Sequence, residues 1–116
     1  MSDKHKQILL AGNAAIERGD HEGFLLYCTE DTEWIFVGEQ TLKGKEAVRQ
    51  WMADSYPVPP RVAVDHLVAE GDHLIAIGEV TMSDNAGKSA TYYYSDAWTF
   101  RDGLIAGLKG FVIEKK

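Results

Sequence analysis

The second half of the sequence restricts the possible folds most, because it consists of long strand patterns joined by short turns. The predicted strands are Arg61–Glu70, His73–Met82, Thr91–Arg101 and Leu104–Ile113. The turns between them contain Gly71-Asp72, Asp84-Asn85-Ala86-Gly87 and Asp102-Gly103. Since such turns leave no room for a crossover connection, neighbouring strands must pair antiparallel. A sheet of this kind twists and tends to curl.

The first half of the sequence supplies helices that can cover the concave face of this sheet. Apolar residues at helical spacing predict a helix over Asp3–Arg18, which Gly19 ends. Asp20 is expected to cap a second helix that carries Tyr27 and Cys28 inward and ends near Glu30. The remaining predicted elements are a strand over Thr32–Val37, a polar connection over Gly38–Gly44 and a helix over Lys45–Ala53. This order is typical of a single α+β domain over residues 1–116.

The composition argues against nucleic acids and membranes as partners. The chain has 18 acidic and 12 basic residues and a formal charge of −6, a balance that opposes binding to phosphate backbones or anionic lipids. Its one cysteine, Cys28, cannot form an internal disulfide. The apolar run Ile8–Ala11 is too short for a signal peptide or a membrane span. We therefore expect a cytoplasmic protein. Because the sequence shows no metal-ligand spacing of histidines, no cysteine pair and no glycine-rich phosphate loop, no metal or other cofactor is expected.

Asp96 is the residue that fits its surroundings least. The even positions of the third long strand are Tyr92, Tyr94, Asp96, Trp98 and Phe100. Because alternate side chains of a strand share a face, this aromatic set must face the core with Asp96 in its middle. Burial raises the pKa of a carboxyl group that has no cation beside it, and such acids are common at functional sites. The alternative, that Asp96 only accepts hydrogen bonds from a tyrosine or a backbone amide, stays open.

Other side chains predict a pocket around this acid. The candidate ligand-binding residues are aromatic: Trp34, Phe36, Trp51, Tyr56, Tyr92 and Trp98. As a set they suit a flat apolar ligand, although each alone is equally an ordinary core residue. His66 shares a predicted strand face with Val62, Val64 and Val68 and is a candidate for a second proton-transfer group. The commoner role for such a histidine is that of a hydrogen-bonded core residue.

Four segments, in this order, resemble the nuclear transport factor 2-like superfamily, in its SnoaL-like and ketosteroid-isomerase-like branch. They are Ile16–Asp20, Tyr27–Phe36, Leu42–Val48, and Ser95–Phe100 with the following Asp102–Ile105. The resemblance implies a cone-shaped α+β fold, in which three N-terminal helices pack on a strongly curved, mainly antiparallel sheet. It also implies a pocket at one end and a homodimer formed through the sheet. Known members include isomerases, cyclases, epoxide hydrolases, dehydratases and non-catalytic domains, so the fold alone does not give the reaction.

The catalytic residues of the ketosteroid isomerases carry over only in part. Asp96 matches the position of their protonated aspartate. Their general base would fall near Phe36, which cannot move a proton, and their oxyanion-hole tyrosine near Gly12, which has no side chain. The resemblance therefore does not imply a standard steroid isomerase.

Two hypotheses about function remain. In the first, the chain is a cofactor-free lyase, isomerase or cyclase that uses Asp96 as general acid or base on a small apolar carbonyl or hydroxyl compound. Tyr94, and Tyr92 or His66, would then orient the substrate or Asp96 itself. In the second, the same fold is a non-catalytic ligand-binding or dimerisation module.

Overall fold

The computed structural model describes residues 2–116, with only the backbone of Ser2 included, as three helices and one sheet of six strands. The helices are α1 (Ser2–Glu17), α2 (His21–Leu25) and α3 (Lys45–Ser55). The strands are β1 (Cys28–Phe36), β2 (Gln40–Lys43), β3 (Arg61–Glu70), β4 (His73–Ser83), β5 (Ser89–Arg101) and β6 (Leu104–Glu114). The strand order is β2-β1-β6-β5-β4-β3, and only β1 and β6 run parallel. The sheet is therefore mixed, and the predicted antiparallel order of the four long strands is confirmed.

The boundary between α1 and α2 follows from two residues. Gly19 has a φ of 80°, a left-handed conformation in which a Cβ atom is unfavourable, and it ends α1. Asp20 then accepts a hydrogen bond from the backbone N–H of Gly23 at 2.9 Å, which caps α2 as predicted. The predicted end of α2 near Glu30 is wrong, however. The helix ends at Leu25, and Cys28 already pairs with Ile105 of β6 as the first residue of β1.

The segment predicted to be a polar connection contains the edge strand β2. Its four residues form an antiparallel hairpin with β1, in which Trp34 is paired with Leu42. Leu42 is the only residue of β2 that is buried. A strand this short with a single inward side chain has no detectable alternation, so the sequence pattern did not reveal it.

A bulge in β3 changes which of its side chains face inward. Val64 pairs with Gly78 and His66 pairs with Ile77, so Asp65 is an extra residue without a partner on β4. Beyond this bulge the inward positions change from even to odd numbers, and Leu67 and Ala69 pack against the core in their place. The prediction that His66 shares a face with Val62 and Val64 is therefore wrong. His66 is exposed.

The core lies between the helices and one face of the sheet. Its fully buried side chains come from both layers, and include Leu9 of α1, Met52 of α3, Leu74 of β4 and Ile105 of β6. Burying a side chain of this size contributes roughly 1.5–3 kcal/mol to folding. Among residues 2–116 no helix is both long enough and apolar enough to cross a membrane.

Candidate functional site

A pocket of about 360 Å³ opens between the helices and the inner face of the sheet. Its lining includes side chains from all three helices and from all six strands. Most of these side chains are apolar or aromatic, and the few polar groups among them include Asp96. The volume is near the lower limit for small-molecule sites, which span roughly 300–1,000 Å³. The pocket therefore suits a compact ligand with one or two rings.

Asp96 faces this pocket because the side chains of β5 alternate between the two faces of the sheet from Tyr92 to Trp98. Its cross-strand partners are Ala76 on β4 and Gly110 on β6. Both partners are small, so they leave free space above the carboxyl group. On the β6 side, the carboxyl group of Asp96 lies close to the backbone of Gly110, where a Cβ atom would lie 3.1 Å from Oδ1 of Asp96. The small size of these two neighbours thus makes the carboxyl group accessible from the pocket.

The protonation equilibrium of Asp96 is set by its apolar surroundings. Burial raises the pKa of this carboxyl group from 3.8 to about 7. No hydrogen bond or salt bridge within residues 2–116 reaches its oxygens, so nothing there offsets the loss of hydration. At neutral pH the group is thus divided between its acid and its carboxylate form. It is not held as a structural carboxylate by backbone amides.

Two tyrosines in the pocket lining are coupled electrostatically to this acid. Burial, and then the negative charge of Asp96, raise the pKa of Tyr94 to about 12. The same two causes, in the same order, raise the pKa of Tyr56, which follows α3 directly. Both phenols therefore stay protonated at neutral pH and are hydrogen-bond donors. The hydroxyl group of Tyr94 is buried and has no partner within the described residues.

Aromatic rings form the wall of the pocket beside β1. Trp34 is buried and packs edge-on against Trp98, with ring centroids 5.4 Å apart, and against Trp51 at 6.3 Å. Phe36 stacks on Trp51 with centroids 4.8 Å apart, and Tyr56 packs edge-on against the other side of Trp51 at 5.2 Å. The rings thus hold one another in a continuous apolar wall. Trp34 Nε1 donates a hydrogen bond to Thr32 Oγ1 and is not free for a ligand.

The structure brings all but one of the predicted site residues together. The residues that line the pocket are Trp34, Phe36, Trp51, Tyr56, Tyr92, Tyr94, Asp96 and Trp98. His66 does not line it, because the bulge in β3 turns its side chain outward.

Several polar lining residues were missed at the sequence level. They are Asn13, Glu39, Gln40 and Ser55. A signal for Asn13 was present, since it lies four residues after Leu9 and three before Ile16 on the inward face of α1. Gln40 begins the edge strand that the sequence pattern did not reveal, and Glu39 lies in the turn directly before it.

Within residues 2–116, neither a metal site nor a reactive thiol accompanies Asp96. Within residues 2–116 no group of three or more histidine, cysteine, aspartate or glutamate side chains is placed to hold a metal ion. Cys28 is buried, and burial raises the pKa of its thiol to about 12, so it stays protonated. Gly12 packs so closely on Phe24 that a Cβ atom there would lie 2.8 Å from the ring. The position where the isomerase resemblance would place a tyrosine therefore has no room for a side chain in this packing.

Comparison with known proteins shows the fold and the family. The family model described as the SnoaL-like domain matches residues 10–108. No curated protein matches the sequence. Among solved structures, the epoxide hydrolase/cyclase-like enzyme SalBIII of pyran ring formation in the polyether salinomycin has a TM-score of 0.87 and 21% identity, with 97% of this chain and 94% of that one covered.

Two further structures have the same fold. A putative SnoaL-like polyketide cyclase from Jannaschia sp. CCS1 has a TM-score of 0.79 and 17% identity, with 95% and 85% of the two chains covered. A nuclear transport factor 2-like protein of unknown function from Cytophaga hutchinsonii ATCC 33406 has a TM-score of 0.77 and 22% identity, with 97% and 99% covered. At these identities the likeness establishes the fold, and the site has to be argued from its own residues.

Proposed function

The chain belongs to the SnoaL-like domain family, and from the chemistry of its pocket we propose that it is an enzyme that uses Asp96 as both general acid and general base. Its substrate is a small apolar compound with a carbonyl, epoxide or hydroxyl oxygen. The observation that supports this most strongly is an accessible carboxyl group with no hydrogen-bond partner among the described residues, in an apolar pocket that raises its pKa to about 7. A group with this pKa can donate and accept a proton at physiological pH.

The proposed proton transfers follow from this arrangement. Protonated Asp96 donates its proton to the substrate oxygen while a bond to that oxygen breaks or its carbonyl group is polarised. The resulting carboxylate then accepts a proton from an adjacent carbon or from the attacking hydroxyl group, which regenerates the acid without a net change. Tyr94 and Tyr56 stay neutral, and we assign them to hydrogen bonding and orientation of the substrate. The aromatic wall surrounds the reacting atoms with apolar groups, which strengthens their hydrogen bonds to Asp96 and the tyrosines.

Cyclisation, isomerisation, dehydration and hydrolysis all fit these transfers. Two proteins of the same fold are described as a putative SnoaL-like polyketide cyclase and as an epoxide hydrolase/cyclase-like enzyme, and we favour a reaction of that kind. As part of the same proposal, the sheet curls strongly around the helices to form a cone. The contribution of every strand to the pocket lining supports this shape.

The proposal is tested by turnover of a panel of small ketones, enols and epoxides. Asp96→Asn removes the proton but keeps the shape of the side chain, and we expect it to lower turnover by about 100- to 10,000-fold. The matched control is Asp102→Asn, in the exposed turn after the same strand, where a φ of 55° suits asparagine. This control should keep full activity, and an equally active Asp96→Asn would contradict the proposal.

A pair of tyrosine variants tests the orienting role. Tyr94 and Tyr93 are adjacent on β5 and lie on opposite faces, Tyr94 in the pocket and Tyr93 exposed. Tyr94→Phe should lower turnover by about tenfold, in line with the loss of one hydrogen bond to the substrate. Tyr93→Phe should leave turnover unchanged. Equal effects of the two substitutions would remove Tyr94 from the proposed mechanism.

The outer face of the sheet favours a second candidate function, that of a dimerisation or ligand-binding module. Large apolar side chains are exposed there on the four long strands: Val68, Ile77, Tyr93, Phe111 and Ile113. Such a patch is typical of a protein interface, and we propose that two copies of the chain pair through it. Sedimentation velocity should show a dimer that Ile113→Lys dissociates, while Leu26→Lys, an exposed apolar position outside the sheet, leaves it intact. If ligands bind and the dimer forms but nothing is turned over, a binding module is the better description.

A further inference from the structure

The charges in the pocket restrict the class of substrate. Among the described residues, its lining contains two acidic side chains, Glu39 and Asp96, and no lysine, arginine or histidine. The raised pKa of Asp96 has burial as its only cause, with no contribution from a neighbouring cation. An anionic ligand would therefore place a further negative charge beside these carboxyl groups without a counter-charge. In surroundings of low polarity such a placement is strongly unfavourable.

The polar donors in the pocket suit an uncharged oxygen. Tyr94 is 7% exposed and Trp98 is 5% exposed, and each has a buried polar atom without a hydrogen-bond partner in the described residues. Asn13 adds an amide group from α1. Together with protonated Asp96, these groups can bind a carbonyl, ether or hydroxyl oxygen by hydrogen bonds. None of them neutralises a full negative charge.

A groove outside the pocket continues it toward solvent. The groove and the pocket share Ser55, Met82 and Tyr92, so a molecule longer than the pocket passes directly from one to the other. The groove lies between the C-terminal end of α3 and the turn that joins β4 to β5. Its charged side chains are mainly acidic, and they are Asp54, Asp84, Lys88 and Glu114.

We infer that the pocket and the groove form one site for an uncharged or cationic molecule, with an apolar ring in the pocket and a hydroxyl- or amine-bearing arm in the groove. Carboxylates, phosphates and other anionic compounds are excluded as substrates. This inference rests on the proposed function, because it takes the pocket to be the place where the substrate binds. It is tested by binding alone, so its failure is distinct from a failure of turnover.

Three ring compounds that differ in charge test the first half of the inference. The chain has three tryptophans, Trp34, Trp51 and Trp98, and all of them line the pocket, so their indole N–H signals in NMR spectra report occupancy. The probes are 2-acetonaphthone, which is neutral, 2-naphthylmethylamine, which is cationic, and 2-naphthoic acid, which is anionic. At neutral pH we expect the anionic probe to bind at least about tenfold more weakly than the other two.

Variants identify the source of this difference. The double variant Asp96→Asn with Glu39→Gln should reduce the difference in affinity between the anionic and neutral probes by at least about threefold, because it removes the repulsion but not the cost of desolvating the anion. The matched control, Asp102→Asn with Glu33→Gln, removes two exposed carboxylates outside the pocket and should leave the difference intact. Equal affinities of the three probes for the wild-type chain would overturn the inference. A failure of all three to shift the indole signals at millimolar concentration would also overturn it.

A longer probe tests the groove. N-(2-hydroxyethyl)-2-naphthylmethylamine adds a hydroxylated arm to the cationic probe. Compared with the shorter amine, it should shift the backbone amide signals of Lys88, Ser89 and Ala90, which belong to groove-lining residues. It should also bind about three- to tenfold more tightly, a gain that Glu114→Gln reduces. If the arm shifts no groove signal, the groove is not part of the site.

Discussion

Replacing Asp96 by asparagine should stabilise the protein, by an amount that depends on pH. The folded chain ionises this carboxyl group at about pH 7, compared with 3.8 for an ordinary aspartate. One pKa unit corresponds to about 1.4 kcal/mol, so ionised Asp96 costs the folded state about 4 kcal/mol above pH 7. Asparagine has nearly the same shape and carries no charge, so the variant avoids this cost.

The sign of the pH dependence follows from proton binding. Between about pH 4 and pH 7 the unfolded chain has lost the proton of Asp96 while the folded chain retains it. The free energy of unfolding of the wild type therefore falls as pH rises through this window. Above about pH 7, ionisation of Asp96 adds no further pH dependence to it. Relative to the wild type, Asp96→Asn should gain about 3 kcal/mol more at pH 8 than at pH 4.5.

Urea denaturation followed by tryptophan fluorescence measures this difference, because all three tryptophans lie at the pocket. Wild type, Asp96→Asn and the exposed control Asp102→Asn are compared at both pH values. The control should follow the wild type, since its carboxyl group is outside the pocket. A gain in stability from Asp96→Asn that is the same at pH 4.5 and pH 8 would refute the claim that ionisation of Asp96 destabilises the folded state. A loss of stability at pH 8 would refute it as well.

Two glycines of the sheet give further predictions. Gly78→Ala should lower the free energy of unfolding by about 3 kcal/mol, because the added Cβ would lie 2.0 Å from the backbone oxygen of Ala63. Gly107→Ala, whose Cβ meets only ordinary contacts from 3.5 Å outward, is the control in the same urea assay, and an equal loss in both would contradict the reasoning. Gly110→Ala should keep the fold but raise the pKa of Asp96 further and weaken binding of 2-acetonaphthone, because its Cβ would lie 3.1 Å from Oδ1. Unchanged affinity and pKa in this variant would show that the carboxyl group does not face the pocket beside Gly110.

The sequence predicted the pocket face of β5 and the bounds of the long strands well. Alternation along β5 is strict from Tyr92 to Trp98, and side chains of opposite faces cannot exchange without a shift in register. The sequence of β5 alone is therefore enough to predict that Asp96 lies among aromatic rings. The same holds for the turn at Asp102-Gly103, where both residues have positive φ angles.

The features that the sequence did not reveal depend on contacts between distant residues. The bulge at Asp65 arises where β3 passes Gly78 of β4, and nothing in the β3 pattern itself marks the change of face. It turned His66 away from the pocket and left Asp96 as the only clear acid–base group of those predicted. Asn13 differs in kind, because its helical spacing places it on the inward face of α1, but a polar residue adds nothing to the apolar pattern that predicts this face.

The central claim, that Asp96 is an acid–base group that changes protonation near neutral pH, is tested most directly by its titration. The side-chain carboxyl carbon is followed by NMR on ¹³C-labelled protein across pH, and Asp96→Asn identifies the signal by its disappearance. We predict a midpoint at about 7. A midpoint at or below the ordinary value of about 3.9 would show a solvated or hydrogen-bonded structural carboxylate and would contradict the account.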